Sequence, residues 1–406
     1  MPVGIETAFG ELGALSKQIY DTGVIDQEQR LTITYDELPT KNWNIRGNGW
    51  FGDAHLVRSS SFKFAAETAP LAQDTTETSQ QFTITNVEEF GNVTFTKNFL
   101  TKLIGGVTSF EDYTYKIEDL QKSCKKNLNQ SCYIGPRNIR ATVAAGVVGS
   151  PTFTISSTQY IFNGMFVDFY NAAATTLVQN NVQITAINGN TISVTPNVTL
   201  SAGDTIFLHE ENLATTTGLG FNSIPDQCDD GTDFPVVFEG ISRTTFPGWR
   251  GNRIDALNQV LTNDLLQKGQ NTIYEVGGND YMTEDYVNFV HMNSVRRYIS
   301  IILPQKRYID ASKYDSGMEK PNMLEWNGKP IVIDPDCGKN DWIMYNRTHG
   351  GKMEIAPLAL ESMFGGTSMK WKSGYMQGVS VMYYSGNLGT NKCNSNLIFR
   401  NLQPVS

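Results

Sequence analysis

Between Thr108 and Tyr133 the chain reads TSFEDYTYKIEDLQKSCKKNLNQSCY, and this stretch limits the fold more than any other. Phe110, Tyr113, Ile117, Leu120, Cys124 and Leu128 recur at steps of three or four, which puts them on one stripe of a helix. Thr108 and Glu111 have the spacing of a capping box, in which hydroxyl and carboxylate satisfy backbone donors of the first turn. Glu118 and Lys122 form an i,i+4 pair on another face, and Gly135-Pro136 stops the helix. At about 1.5 Å per residue the rod is roughly 35 Å long. Its stripe is expected to pack on a sheet built by the C-terminal strands.

Around this rod the chain is organised unevenly. Residues 1–44 hold a short helical signal near Leu12–Tyr20 and a β-prone LTITY at 31–35, and otherwise read as an extended arm. Such an arm must lie on its own chain or on a neighbour. Residues 45–98 read as a long hairpin whose tip, APLAQDTTETSQ, is polar; so little apolar surface implies support from another subunit. From Ala141 to Glu211 charges nearly vanish, and PTFTISS, MFVDFY, VQITAI, TISVT and DTIFLHE are short strand candidates, with a hairpin turn at Asn188-Gly189. A compact β barrel or sandwich follows from that pattern. Beyond it, the apolar spacing of Ile254, Leu257, Leu261 and Leu265 predicts a helix from Asn252 to Lys268, and a second helix is expected at Thr283–Arg296. RRYISIIL reads as a buried strand, WNGKPIVIDPDC as an Asn-Gly turn feeding another, and MEIAPLAL, YMQGVSVMYY and NLIFRNL as closing strands.

With 406 residues the chain exceeds the usual size of one core, so two or three domains are expected. Only 18% of residues are charged, which leaves a neutral polar surface that is inexpensive to desolvate over wide contacts. A net charge of −9 argues against a dedicated nucleic-acid binder with a basic stripe. Five scattered cysteines with no CxxC pair point to a reducing compartment. The N-terminus lacks a signal-peptide pattern, and no run of 18 apolar residues occurs, so neither export by that route nor a membrane-spanning helix is expected.

A catalytic constellation does not emerge. His55, His209, His291 and His349 are isolated from one another, without metal-capturing spacing on a helix. Asp334, Asp336, Asn340 and Asp341 resemble a calcium loop, but Gly338 stands one place too early and no Glu closes the loop; a turn stiffened by Pro335 is the better reading. GGTSMK at 365–370 lacks the spacing of a phosphate-binding loop. No catalytic, cofactor-binding or metal-binding residue is assigned, and no cofactor is expected.

The order of segments is itself informative: arm, long hairpin, long helix, β insertion, α/β region with two helices, closing strands. This order resembles the major capsid proteins of tailed double-stranded DNA bacteriophages, which share the Hong Kong ninety-seven phage fold. WNGKPIVIDPDCGKNDWIMYN at 326–346 resembles a recurring passage of that family, and the ending YMQGVSVMYYSGNLGTNKCNSNLIFRNL resembles how its chains finish. The resemblance implies an α+β capsid fold with an N-arm at 1–44, an E-loop hairpin at 45–98 and a peripheral domain with its spine helix at 99–140. It further implies a β-barrel-like insertion at 141–212, a connection at 213–249, an axial α/β domain at 250–351, and peripheral closing strands at 352–406. The implied function is a structural, non-enzymatic shell protein of the virion, assembled in the host cytoplasm from hexamers and pentamers of itself into an icosahedral head. It would enclose double-stranded DNA without sequence-specific contacts and without any membrane. Scaffolding, portal and decoration proteins are the further partners implied. Trp50, Arg58, Lys63 and Glu67 on the hairpin and Ile117 and Leu120 on the helix are the assembly candidates. A β-rich bacterial surface or adhesion protein is the alternative reading.

Overall fold

The computed structural model describes residues 32–46, 49–58, 77–99, 110–209, 220–233, 236–306, 324–360, 369–371 and 377–403. The chain divides into two compact units, one of residues 1–31, 89–126 and 358–384, the other of residues 32–88, 127–357 and 385–406.

The rod is a helix from Phe110 to Ile134. Within the first unit, the strand Val87–Thr96 runs beneath the helix at Gly91, where an added Cβ would lie 2.5 Å from Cys124 Sγ and 3.0 Å from Leu120 Cδ1. A side chain here would have to displace the ends of the Cys124 and Leu120 side chains, so the close approach favours glycine. The expected sheet partner is thus only partly C-terminal: Val87–Thr96 precedes the helix and pairs with the late strand Gln377–Thr390. Burial deepens along the stripe. Ile117 and Leu120 are half-buried, whereas Cys124, Leu128 and Cys132 are buried. The first-turn side chains lie outside the described set, as does Thr108 of the expected capping box.

In the second unit, the charge-poor segment is a closed barrel. Its strands follow the order Ala141–Thr142, Thr205–Leu208, Phe166–Tyr170, Leu177–Asn188, Thr191–Leu200 and Val147–Thr154. The ring is completed by the bridge Val143↔Ile155, with Ala144 N donating to Thr154 O at 2.9 Å and Ser156 N to Thr142 O at 2.8 Å. Alternating Val, Ile and Phe side chains, among them Val167, Phe169, Val182, Ile184, Ile192 and Val194, fill the interior.

A six-stranded mixed sheet forms the other large core, in the order Asn252–Asp255, Leu397–Arg400, Trp342–Asn346, Tyr286–Val290, Lys329–Ile333 and Glu325–Trp326. Leu266 of the helix Asn263–Thr272 and Val295 and Tyr298 of the helix Met292–Lys306 pack on it. Asn327 and Gly328, at φ 49° and 74°, make the tight turn that joins its last two strands.

Five sequence expectations are corrected: the β-prone LTITY at 31–35 runs into a short helix, Ile33–Glu37, and four more follow. Asn252 does not cap a helix: Asn252–Asp255 is a strand in parallel register with Leu397–Arg400, and Leu257 and Asn258 break the helical pattern at φ 49° and 60°. Within the expected Thr283–Arg296 helix, Tyr286–Val290 is a strand buried along its whole length, because two sheet neighbours and helices enclose it. RRYISIIL continues the helix Met292–Lys306; a short apolar run fits either state, and its context decides. The strand Leu397–Arg400 lies between Asn252–Asp255 and Trp342–Asn346, so the end of the chain belongs with the sheet of residues 250–351 rather than with closing peripheral strands.

Candidate functional site

The hairpin and its base are built from aromatic residues. Gly49–Val57 and Thr78–Thr85 pair antiparallel, and opposite Gly52 the Phe82 ring covers the strand, filling the space a side chain would need. Phe82 stacks on Trp249 at 5.5 Å between ring centroids and meets the edge of Trp43 at 5.7 Å. Trp50, only 1% exposed, joins the same cluster with Ile84, Phe238 and Met353. Trp50 therefore anchors the hairpin root inside its own subunit. Toward the tip this support ends: His55 is exposed, faces Glu77 at 3.4 Å, and Arg58 beyond it is exposed. Lys63 and Glu67 lie outside the described residues.

Thr34 and Tyr35, part of the expected arm, are clamped within the second unit, to which they belong. Thr34 Oγ1 donates to Asp334 Oδ2 at 2.6 Å, Tyr35 N to Asn129 Oδ1 at 3.0 Å, and Tyr35 OH to Glu354 Oε1 at 2.5 Å. Lys352 Nζ sits 4.3 Å from the Tyr35 ring centre, a cation–π contact, and Arg347 pairs with Glu37. The chain then runs beside Gly351, where a Cβ would come within 2.4 Å of Pro39 O. The segment is thus held residue by residue.

Asp334 and Asp336, weighed above as turn or calcium loop, are buried acceptors. Asn129 Nδ2 donates to Asp334 Oδ2 at 3.0 Å and to Asp336 Oδ2 at 2.6 Å. Because Asn129 Oδ1 must accept from Tyr35 N, its amide has one workable orientation. Among the described residues no group of three His, Cys, Asp or Glu is placed to hold a metal ion. His209 Nδ1 contacts Asp168 Oδ1 at 2.8 Å and His349 Nδ1 contacts Asn391 Oδ1 at 2.9 Å. Burial and the Lys339 charge hold His291 below its ordinary pKa. All five thiols are buried. Burial and the Glu89 charge push Cys124 up to about 12, and burial raises the other four as well, so none is a ready thiolate nucleophile.

Two buried acids are perturbed. Asp226 caps the short buried helix Ile224–Cys228 through Ser223, and burial raises it to about 6 despite those hydrogen bonds and the Arg243 charge. Glu239, at φ 51° in a tight turn, accepts from Thr390 N at 3.2 Å and is pushed well up by burial. Both are buried. Sequence reasoning passed over them because nothing in their local spacing marks burial. On the surface, large apolar side chains stand exposed at Val148 (87%), Leu257 (75%), Tyr274 (65%) and Phe90 (62%).

No helix among the described residues is long and apolar enough to cross a membrane. No family model matches the chain, and no curated protein does. Solved structures do. A chain of the Cyanophage A-1(L) capsid asymmetric unit matches at a TM-score of 0.58 with 12% identity, over 95% of both chains. The capsid of the empty GTA particle matches at 0.53 with 9% identity over 94% of both chains. The native GTA particle capsid matches at 0.51 with 8% identity, over 96% of this chain and 98% of that one. Across nearly its whole length, the chain has the α+β fold of these capsid subunits, the Hong Kong ninety-seven type.

Proposed function

We propose that the chain is the major capsid subunit of a tailed double-stranded DNA bacteriophage, a structural protein without catalytic activity that self-assembles into the icosahedral head. The observation that carries this reading is the full-length match to a cyanophage capsid chain, at 95% coverage of both. Residues 1–44 serve as the N-arm and 45–98 as the E-loop, with residues 99–140 as the peripheral domain and its spine. The barrel at 141–212 is the insertion, 213–249 the connection, and 250–351 with the strand Leu397–Arg400 the axial domain.

The physical support is a mismatch between segment length and self-burial. The hairpin is rooted by Trp50 and Phe82, while the last described residues before its tip, His55, Val57 and Arg58 on one strand and Ser79, Gln80 and Gln81 on the other, are exposed, so a neighbouring copy is its natural bed. Arg58, Lys63 and Glu67 would act there, and Ile117 and Leu120 through the spine. Exposed apolar residues such as Leu257 and Tyr274 would be covered by adjacent subunits. Many weak, repeated contacts suffice to stabilise a closed shell. An acidic wall encloses DNA without gripping its phosphates.

Negative-stain electron microscopy of the purified protein tests this. Hexamers, pentamers or shells are expected. A strictly monomeric protein at all concentrations, alone and beside its scaffold, would refute it.

A further inference from the structure

The turn at residues 334–337 is gripped from two sides by parts of the chain that are far apart in sequence. On one side, Thr34 donates to Asp334 Oδ2 through both its amide, at 3.1 Å, and its hydroxyl, at 2.6 Å, while Tyr133 OH meets the same hydroxyl at 2.5 Å. On the other side, the barrel reaches over. Gln159 Nε2 donates to Pro335 O at 2.8 Å and Cys337 O at 2.7 Å, and Tyr160 OH donates to Asp336 O at 2.8 Å. Asp334 Oδ1 accepts from Asp336 N at 2.8 Å, and Cys337 N donates to Asp334 O at 3.2 Å. The side chain that receives Thr34 therefore also sets the Pro335–Asp336 peptide plane, and its main-chain carbonyl sets the next one, whose oxygens Pro335 O and Asp336 O accept from the barrel. Asn129, buried at the end of the long helix, ties both carboxylates to the Tyr35 amide.

Among the described residues the barrel is also attached at its covalent root, where Arg140 N donates to Ile206 O at 2.9 Å, the Arg140 guanidinium meets Gln130 Oε1 at 3.0 Å and Arg137 Nη2 donates to Ala173 O at 3.0 Å. A domain held at its root and by a distant anchor turns more freely about the root when that anchor yields.

We propose that the 334–337 turn is a conformational coupler: docking of the segment Thr32–Lys41 shapes the turn that anchors the barrel, and release of either loosens the other. Coupling of this kind is reciprocal by thermodynamic necessity. In an assembly that displaces the arm segment, the barrel would be freed to reorient.

Hydrogen exchange on the unassembled full chain, read by mass spectrometry, tests this whether or not shells form. Thr34→Val removes the hydroxyl donor at nearly constant volume, and Tyr160→Phe removes the barrel's donor. Loss of a hydrogen bond to a buried carboxylate opens the local structure about tenfold more often. Thr34→Val is expected to speed exchange by about that factor at 33–41 and also at 158–162, where Ile161 N is bonded to Thr158 O. Tyr160→Phe is expected to speed both segments as well. Variants that each affect only their own segment overturn the proposal. Should Thr34→Val not fold, Tyr160→Phe alone decides it through exchange at 33–41, with Thr34→Ser as the hydroxyl-retaining control.

Discussion

Replacing Gly91 by Ala tests how the long helix is seated. The new Cβ would start 2.5 Å from Cys124 Sγ and 3.0 Å from Leu120 Cδ1, against ordinary contact distances near 3.5–4.0 Å. Helix and strand must separate by about 1 Å, or the Cys124 side chain must leave its rotamer; overpacking of this size costs about 1–3 kcal/mol. Against that, Ala restricts the unfolded chain more than Gly and returns roughly 0.4–1 kcal/mol. A net loss of about 1–2 kcal/mol is expected, read as a lower urea midpoint with an unchanged slope. The clash is specific, so Cys124→Ala, which removes the obstructing sulfur, should rescue much of it. In a double-mutant cycle the pair should then be less destabilised than the sum of the single variants. If Gly91→Ala is neutral in both backgrounds, the helix does not rest on the strand Val87–Thr96 at that point, and the proposed spine role loses this support.

Two further outcomes follow from buried titratable groups. Burial raises Asp226 from 3.8 to about 6, so across that window the folded chain binds more protons than the unfolded one and stability falls as pH rises. Asp226→Asn should flatten this descent and add up to about 3 kcal/mol above pH 6, since Asn Oδ1 can still accept from Ser223; urea midpoints taken across pH 4–8 would show parallel curves if the acid does not titrate there. For the cysteines, a thiol reagent should label none of the five in the native protein and all five after unfolding, because each is buried with its pKa raised. Rapid stoichiometric labelling of the native chain would contradict that burial.

What could be read from the sequence was what local spacing controls. The helix at Phe110–Ile134 showed itself because six apolar residues kept one phase, and the barrel strands because β-branched residues alternate between turns. Ile254, Leu257, Leu261 and Leu265 kept a helical phase equally well, yet Asn252–Asp255 pairs with a strand nearly 150 residues later in the chain. A partner so remote leaves no trace in a local window. The polar junction was hidden for the same reason: Asp334-Pro335-Asp336 reads as an ordinary turn until Thr34 and Asn129 are folded against it. Of the assembly candidates, Trp50 lies 1% exposed in the cluster at the hairpin root, a placement that no local pattern in the sequence marks.

The position of the last strand bears on when a subunit becomes competent. Leu397–Arg400 separates Asn252–Asp255 from Trp342–Asn346, so the edge strand has nothing to pair with until the chain has been synthesised past Arg400. Local helices and the barrel can form as they emerge, but the large sheet cannot close early. A fragment cut short before this strand would leave the sheet unclosed, and in the proposed shell such fragments would be screened out by geometry alone.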